Sequence, residues 1–180
     1  MKALHSKLEL AVDNSKGSYR PVLTQAHLDV ETSRLMATNG HILAVVPVDV
    51  EPGDVSGPVS IDAIKAARKT DKRCEQYEIK CNGSLELSDG QSFPREGEFP
   101  QYPDVDSVSR QVDKPADFTI NLNAELLYKL AQAIGADKKG DYRVRLSFRD
   151  IHSDKQKTAI EVTNPANEAH GLLMPMRDNY

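Results

Sequence analysis

The hydrophobic positions of the chain change period several times, and each period predicts an element. Helical spacing of apolar residues predicts an amphipathic helix over residues 3–13. Looser alternation predicts a strand over residues 22–30. Asn39-Gly40 is a tight-turn signal, and the apolar run at 42–48 follows it. This part of the chain therefore predicts a hairpin that leads into a buried strand.

The middle of the chain predicts one helix and then a hairpin. Ser60 stands where an N-cap is expected, with Asp62 in the first turn that follows. Two alternating stretches, 76–81 and 84–87, are joined by an Asn-Gly pair and predict antiparallel strands.

The last third of the chain repeats this order. A short strand is predicted at 118–120, followed by a helix between the N-cap Asn123 and the terminating Gly135. Further strands are predicted at 143–149, 159–162 and 169–176. The expected fold is α+β, with about three repeated helix-plus-antiparallel-strands half-units whose helices line one face of a sheet layer.

Length and composition place the chain among ordinary globular proteins. Its 180 residues are enough for one large domain or two small ones. No apolar run approaches the roughly 20 residues that span a bilayer, and no signal-peptide stretch is present, so we expect a cytoplasmic protein without membrane contact. The spacing of Cys74 and Cys81 is not a common metal-binding spacing, and predicts two buried or half-buried thiols.

The sequence gives no sign of an enzyme. It contains no nucleophile-elbow, phosphate-loop, dinucleotide-binding or zinc-protease motif. Its five histidines are scattered, without a carboxylate at ligand spacing. We therefore expect a noncatalytic protein that uses no cofactor and no metal.

The net charge is negative, but the positively charged side chains cluster in particular segments of the chain. A net charge of −4 argues against a nucleic-acid binder that works by bulk charge. Cations nevertheless recur on the polar side of each predicted helix, which predicts contact with the backbone of double-stranded DNA without sequence specificity. The alternative is a set of solvated helix faces. The residues concerned are Lys65, Arg68, Lys69, Lys72 and Arg73, with Lys2, Lys7 and Lys129 on the other two segments.

The C-terminal tail is unusually apolar. It reads Leu172-Leu173-Met174-Pro175-Met176. Methionine suits a surface that adapts to more than one partner, and proline marks a strand end or edge. The alternative is a final core strand.

Four stretches together resemble the sliding clamp of bacterial replication, the β subunit of DNA polymerase III. They are RPVLT at 20–24, ATNGHILA at 37–44, FPQYPDV at 99–105 and MPMR at 174–177. Each stretch alone is weakly specific, but their order and spacing are those of the family.

The resemblance implies a particular division of the chain. Residues 1–107 resemble the whole middle domain of the clamp, apart from its first strand, and residues 116–180 resemble the second half of its last domain. A polar linker is expected at 108–115. The parts without a counterpart form the joint of the usual dimeric ring, so ring closure requires a different contact in a homo-oligomer.

The resemblance also implies a peptide-binding groove for a short motif of DNA polymerases and repair proteins. Two positions depart from the family, because Asn39 replaces an aspartate and Ile42 replaces an arginine. The implied function is a noncatalytic processivity factor that binds clamp-motif peptides and tethers the proteins that carry them to DNA. The alternative is a monomeric peptide-binding adaptor or decoy that does not encircle DNA. The implied groove residues are Leu23, Thr38, Gly40, His41, Leu43, Pro100, Val105, Leu172, Met174, Pro175, Met176 and Arg177.

Overall fold

The structure, a computed structural model, describes residues 1–15, 19–95, 102–105, 119–136, 143–149 and 159–176. The fold is α+β, and the chain divides into two compact units, Met1–Val105 and Asp106–Tyr180. The linker expected at 108–115 lies outside the described residues.

The first unit is built on an eight-stranded antiparallel sheet in the order β5-β2-β3-β4-β1-β6-β7-β8. Its strands are β1 Lys2–Leu4, β2 Ala26–Asp29, β3 Arg34–Thr38, β4 Leu43–Asp49, β5 Gly57–Val59, β6 Gln76–Cys81, β7 Ser84–Leu87 and β8 Ser92–Pro94. The unit also contains helix α1, Ile61–Thr70, and two short 3-10 helices, Leu8–Leu10 and Pro21–Thr24.

Helix α1 begins and packs as its sequence predicts. The Ser60 hydroxyl accepts a hydrogen bond from the backbone N–H of Ala63 at 3.1 Å, and Asp62 lies in the first turn. The helix packs on β6 and β7 through its buried face, which includes Ile64 and Ala67. The buried face of α1 and the buried residues of the sheet, among them Leu35, together form the main core of the first unit.

The sheet of the first unit curls until its two edges approach each other. Arg95 follows β8 at one edge, and its Nε donates to the carbonyl of Pro58 in β5 at the other edge, at 3.1 Å. The same guanidinium donates to the carbonyls of Val55 at 2.6 Å and of Cys81 and Asn82, both at 3.1 Å. One half-buried side chain thus joins the two edges of the sheet.

The second unit combines one helix with a three-stranded antiparallel sheet in the order β11-β10-β9. Its described elements are α2 Ala124–Ala133, β9 Arg145–Ser147, β10 Ile160–Thr163 and β11 His170–Leu173. Asn123 caps the helix by accepting from the N–H groups of Glu125 and Leu126 at 3.0 and 3.1 Å, and Gly135 follows the helix with φ of 75°. Both features agree with the sequence-based prediction.

Close packing in the second unit depends on a glycine and a buried asparagine. A Cβ at Gly171 would lie 2.5 Å from the side chain of Leu130, so the glycine lets α2 approach β11. Asn164 is buried, and its amide donates to the Ile134 carbonyl at the end of the helix at 3.1 Å.

The prediction of a helix over residues 3–13 is wrong. This segment contains β1 and a 3-10 helix, because Ala3 pairs with Val48 on one side and Tyr77 on the other. Sheet pairing therefore overrides the local helical spacing. The first of the three expected segments has no α-helix among its described residues, and the threefold repeat is not confirmed.

Three predicted strands also differ from those observed. The strand over residues 22–30 is shortened by the 3-10 helix Pro21–Thr24, where proline occupies the first position. The described part of the strand predicted at 118–120, Thr119 and Ile120, is not a strand. The final strand ends at Leu173 rather than at residue 176, two residues before Pro175, whose ring leaves no backbone donor for a ladder.

Candidate functional site

The turn between β3 and β4 is held by its own side chains. The Thr38 hydroxyl donates to the Ile42 carbonyl at 2.7 Å and accepts from the Gly40 N–H at 3.1 Å. The Asn39 side-chain oxygen accepts from the N–H groups of His41 and Ile42 at 2.9 and 3.0 Å. Gly40 has a φ of 86°, which glycine adopts without strain. The turn therefore presents His41 and Ile42 to solvent on a fixed backbone.

Strand β4 has an apolar face on both sides, contrary to the prediction of a buried strand. Ala44 and Val46 pack against the core. The opposite face, called here the outer face, carries alternate residues that are exposed. The exposed fractions on this face are 38% for Leu43 and 43% for Val45, with Pro47 also exposed. Ile42, in the turn before the strand, is 52% exposed.

The outer face is partly covered by residues 102–105. The Tyr102 ring stacks on the His27 ring, with centroids 4.6 Å apart and planes 16° apart. Burial raises the pKa of Tyr102 to about 12, and burial lowers the pKa of His27 despite the opposing effect of the Asp29 carboxylate. Met36, the cross-strand partner of both His27 and Val45, is buried but lies outside the main core.

The groove residues expected in the first unit are therefore not equally accessible. Gly40 and His41 are exposed, Leu43 is exposed to a lesser degree, and Thr38 is half-buried. Leu23 and Val105 are buried by the chain itself. Pro100 lies outside the described residues.

The tail residues of the second unit are largely exposed. Leu172 is 67% exposed, Met174 59% and Met176 49%, whereas Pro175 is half-buried. The backbone N–H of Met176 donates to the Asn121 carbonyl at 2.8 Å, which fixes the tail beside the segment before α2. These residues belong to the second unit, whereas the turn at Thr38 belongs to the first. Arg177 lies outside the described residues.

The expected DNA-contacting residues fall into two groups. Three have carboxylate partners: Arg68 pairs with Glu9 at 2.9 Å, Lys2 with Glu51 at 2.8 Å and Lys129 with Glu125 at 2.5 Å. The others are exposed, and they are Lys7, Lys65, Lys69, Lys72 and Arg73. The exposed cations of the middle segment belong to the solvent side and the C-terminal end of α1.

The described residues contain no group of three or more His, Cys, Asp or Glu side chains placed to hold a metal ion. Cys74 is exposed, contrary to expectation, and burial raises the pKa of the Cys81 thiol to about 11. Across the part of the chain that the structure describes, no helix combines the length and apolar character needed to cross a membrane.

Sequence reasoning missed the accessibility of Val45 and Pro47. The run at 42–48 is apolar at nearly every position, so its period of two is hidden. A signal was present in Pro47, because proline favours strand positions that are not enclosed on all sides.

Comparisons of the chain with models of known protein families, with curated proteins and with solved structures find no match. The fold defines the chain as an α+β protein of two units. Its likeness to the sliding clamp is a resemblance in four short stretches of sequence.

Proposed function

We propose that this chain is a noncatalytic, sliding-clamp-like protein that binds clamp-motif peptides of DNA polymerases or repair proteins in the cytoplasm and tethers them to DNA. The observation that carries the proposal is the turn from Thr38 to Leu43. It coincides with one of the four resembling stretches, and its hydrogen bonds present His41, Ile42 and Leu43 on a fixed backbone.

The chemistry of the two exposed apolar segments supports peptide recognition. Ile42 and Leu43 in the first unit, and Leu172, Met174 and Met176 in the second, are apolar side chains left open to water. Exposed apolar patches on soluble proteins often mark interaction sites. Methionine adapts to partners of different shape, which suits a site that serves several proteins.

Peptide titration tests this proposal. A synthetic peptide that carries the clamp-binding motif of a bacterial DNA polymerase should bind the wild-type chain, and Met174→Ala should weaken binding by about tenfold because a buried thioether side chain is lost from the interface. Leu126→Ala is the matched control, since Leu126 is an exposed apolar residue of the second unit outside the tail. Failure of the wild type to bind at millimolar peptide would disprove the peptide site.

The tethering part of the proposal rests on the exposed cations of α1. Each phosphate that Lys65, Lys69 or Lys72 neutralises would add salt-dependent affinity for DNA. If copies of the chain close a ring, the protein should be retained on circular DNA and slide off linear DNA. Light scattering that shows only a monomer at the working concentration, or equal retention on the two DNAs, would contradict the ring.

A second candidate is a monomeric adaptor or decoy that binds the same peptides without DNA. The ion pairs of Lys2, Arg68 and Lys129 favour it, because a paired cation must lose its carboxylate before it can neutralise a phosphate. Peptide binding without any salt-dependent affinity for DNA would identify this candidate.

A further inference from the structure

The outer face of the first unit carries an exposed apolar ribbon that is longer than the turn at Thr38. Leu43, Val45 and Pro47 follow one another on one side of β4, because alternate residues of a strand share a face. Leu4 of β1 is 54% exposed and continues the same row, since the pairing of Ala3 with Val48 places Leu4 opposite Pro47. The apolar ribbon is defined by Leu43, Val45, Pro47 and Leu4.

The ribbon has the dimensions of a short extended peptide. From Leu43 to Pro47 it spans four residues of strand, which is about 13 Å at roughly 3.3 Å per residue. Leu4 adds the width of one neighbouring strand, roughly 5 Å. Four side chains that are about half exposed offer on the order of 300 Å², below the ~800 Å² that each partner of a standard interface contributes. The ribbon is therefore too small to hold a second folded copy and large enough for an extended segment.

Addition of a strand to either edge of this sheet is disfavoured. Edge strand β5 carries Pro58 and edge strand β8 carries Pro94, and proline offers no backbone donor. Arg95 also occupies the Pro58 carbonyl. The outer face offers a partner side chains rather than backbone groups as contacts.

We propose that the apolar ribbon binds an extension of the partner's motif, about four residues long, whose apolar side chains alternate with polar ones. This inference rests on the proposed function and names a further feature of the partner. Ile42 is exposed in the turn directly before Leu43, where the resembling family has an arginine, so the end of the ribbon is next to an apolar residue instead of a cation. The alternation of the partner matches that of Leu43, Val45 and Pro47.

The experiment compares three synthetic peptides on the full chain. One carries the clamp-binding motif alone, the second carries Leu-Ser-Leu-Ser at both ends of the motif, and the third carries Ser-Ser-Ser-Ser at both ends. The leucine extension should bind about tenfold more tightly than the serine extension, since it buries two additional apolar side chains. Val45→Thr preserves the shape of the side chain and should remove most of this gain, and Leu4→Thr should act in the same direction.

The matched control is Val55→Thr, because Val55 is exposed to a similar degree but lies outside the ribbon. It should keep the full gain. Equal binding of the two extensions, or an undiminished gain in Val45→Thr, would overturn the inference while leaving the proposed function intact. Failure of the unextended peptide to bind would contradict both the inference and the proposed function. Self-association that Val45→Thr weakens would assign the ribbon to a second copy and overturn the inference.

Discussion

At the scale of single residues, the first unit depends on one buried carboxylate. Asp54 receives the ammonium group of Met1 at 2.5 Å, and both side chains are almost fully buried. Its two oxygens also accept from the backbone N–H groups of Cys81 at 2.8 Å and Glu51 at 2.9 Å. Burial raises the pKa of Asp54, but these hydrogen bonds outweigh burial and hold the pKa below its ordinary value.

Asp54→Asn should destabilise the first unit by about 3 kcal/mol, because it leaves a buried ammonium group without its charge partner. Urea denaturation at pH 7 measures this loss. Asp49→Asn is the control, since Asp49 is exposed and its carboxylate accepts a hydrogen bond from the Gln76 side chain at 3.2 Å. Equal stability of Asp54→Asn and Asp49→Asn would contradict the structural role of Asp54.

The same carboxylate predicts a pH dependence. Because folding lowers the pKa of Asp54, its stabilising contribution is fully present above the unfolded value of 3.8 and is lost as the pH falls through the lower folded value. The stability difference between wild type and Asp54→Asn should therefore be constant from pH 5 to 7 and shrink below about pH 4. A difference that grows on acidification would show that the sign is wrong.

The residue-scale features differ in how far the sequence predicts them. The caps Ser60 and Asn123 were predictable, because a cap acts within one turn of its own helix. Asp54 was not, since its partners Met1 and Cys81 are distant in sequence and meet it only in the folded sheet. The stacking of Tyr102 on His27 has the same origin.

At the scale of elements, local signals succeed where the period of the apolar residues agrees with the sheet, and they fail where sheet pairing overrides that period. Helix α1 and strands β6 and β7 agree with their predicted ranges. Residues 3–13 do not, because β1 is inserted between β4 and β6, and this pairing outweighs the local preference for a helix. The exposure of one face of β4 was likewise not predictable, because the strand carries apolar residues on both faces.

Arg95 gives an element-scale prediction about closure of the sheet. Arg95→Lys keeps the charge but loses the planar fork that reaches the carbonyls of Val55, Pro58 and Cys81 together. The first unit should lose about 2 kcal/mol of stability, as expected for loss of hydrogen bonds from a charged group. Arg73→Lys is the control, because Arg73 is exposed.

Denaturation by urea measures both variants, and hydrogen exchange adds a local test. In Arg95→Lys, exchange should accelerate at the amides of β5 and β8, the two edges that Arg95 joins, more than at those of β3. Unchanged stability and unchanged exchange would show that the sheet holds its curl without this side chain.

At the scale of the whole molecule, sheet edges and sheet faces have opposite characters. Both edges of the first sheet carry proline, which limits pairing with other chains. The outer face of the same sheet exposes Leu43, Val45 and Pro47, and the second unit exposes the tail around Met174. Exposed apolar side chains of the first unit therefore lie on a sheet face, whereas its sheet edges carry proline. The sequence pointed to the turn and the tail because both lie in short contiguous stretches.

The most direct test of the central claim is a titration of the clamp-motif peptide into isotopically labelled protein, followed by amide NMR shifts. The proposal predicts saturable shifts at the amides of Ile42 and Leu43 in the first unit and at those of Leu172, Met174 and Met176 in the second. The amides of Leu126 and Tyr128, which are exposed on α2, should not shift. No saturable shifts at these turn and tail amides at millimolar peptide would contradict the proposed peptide binding.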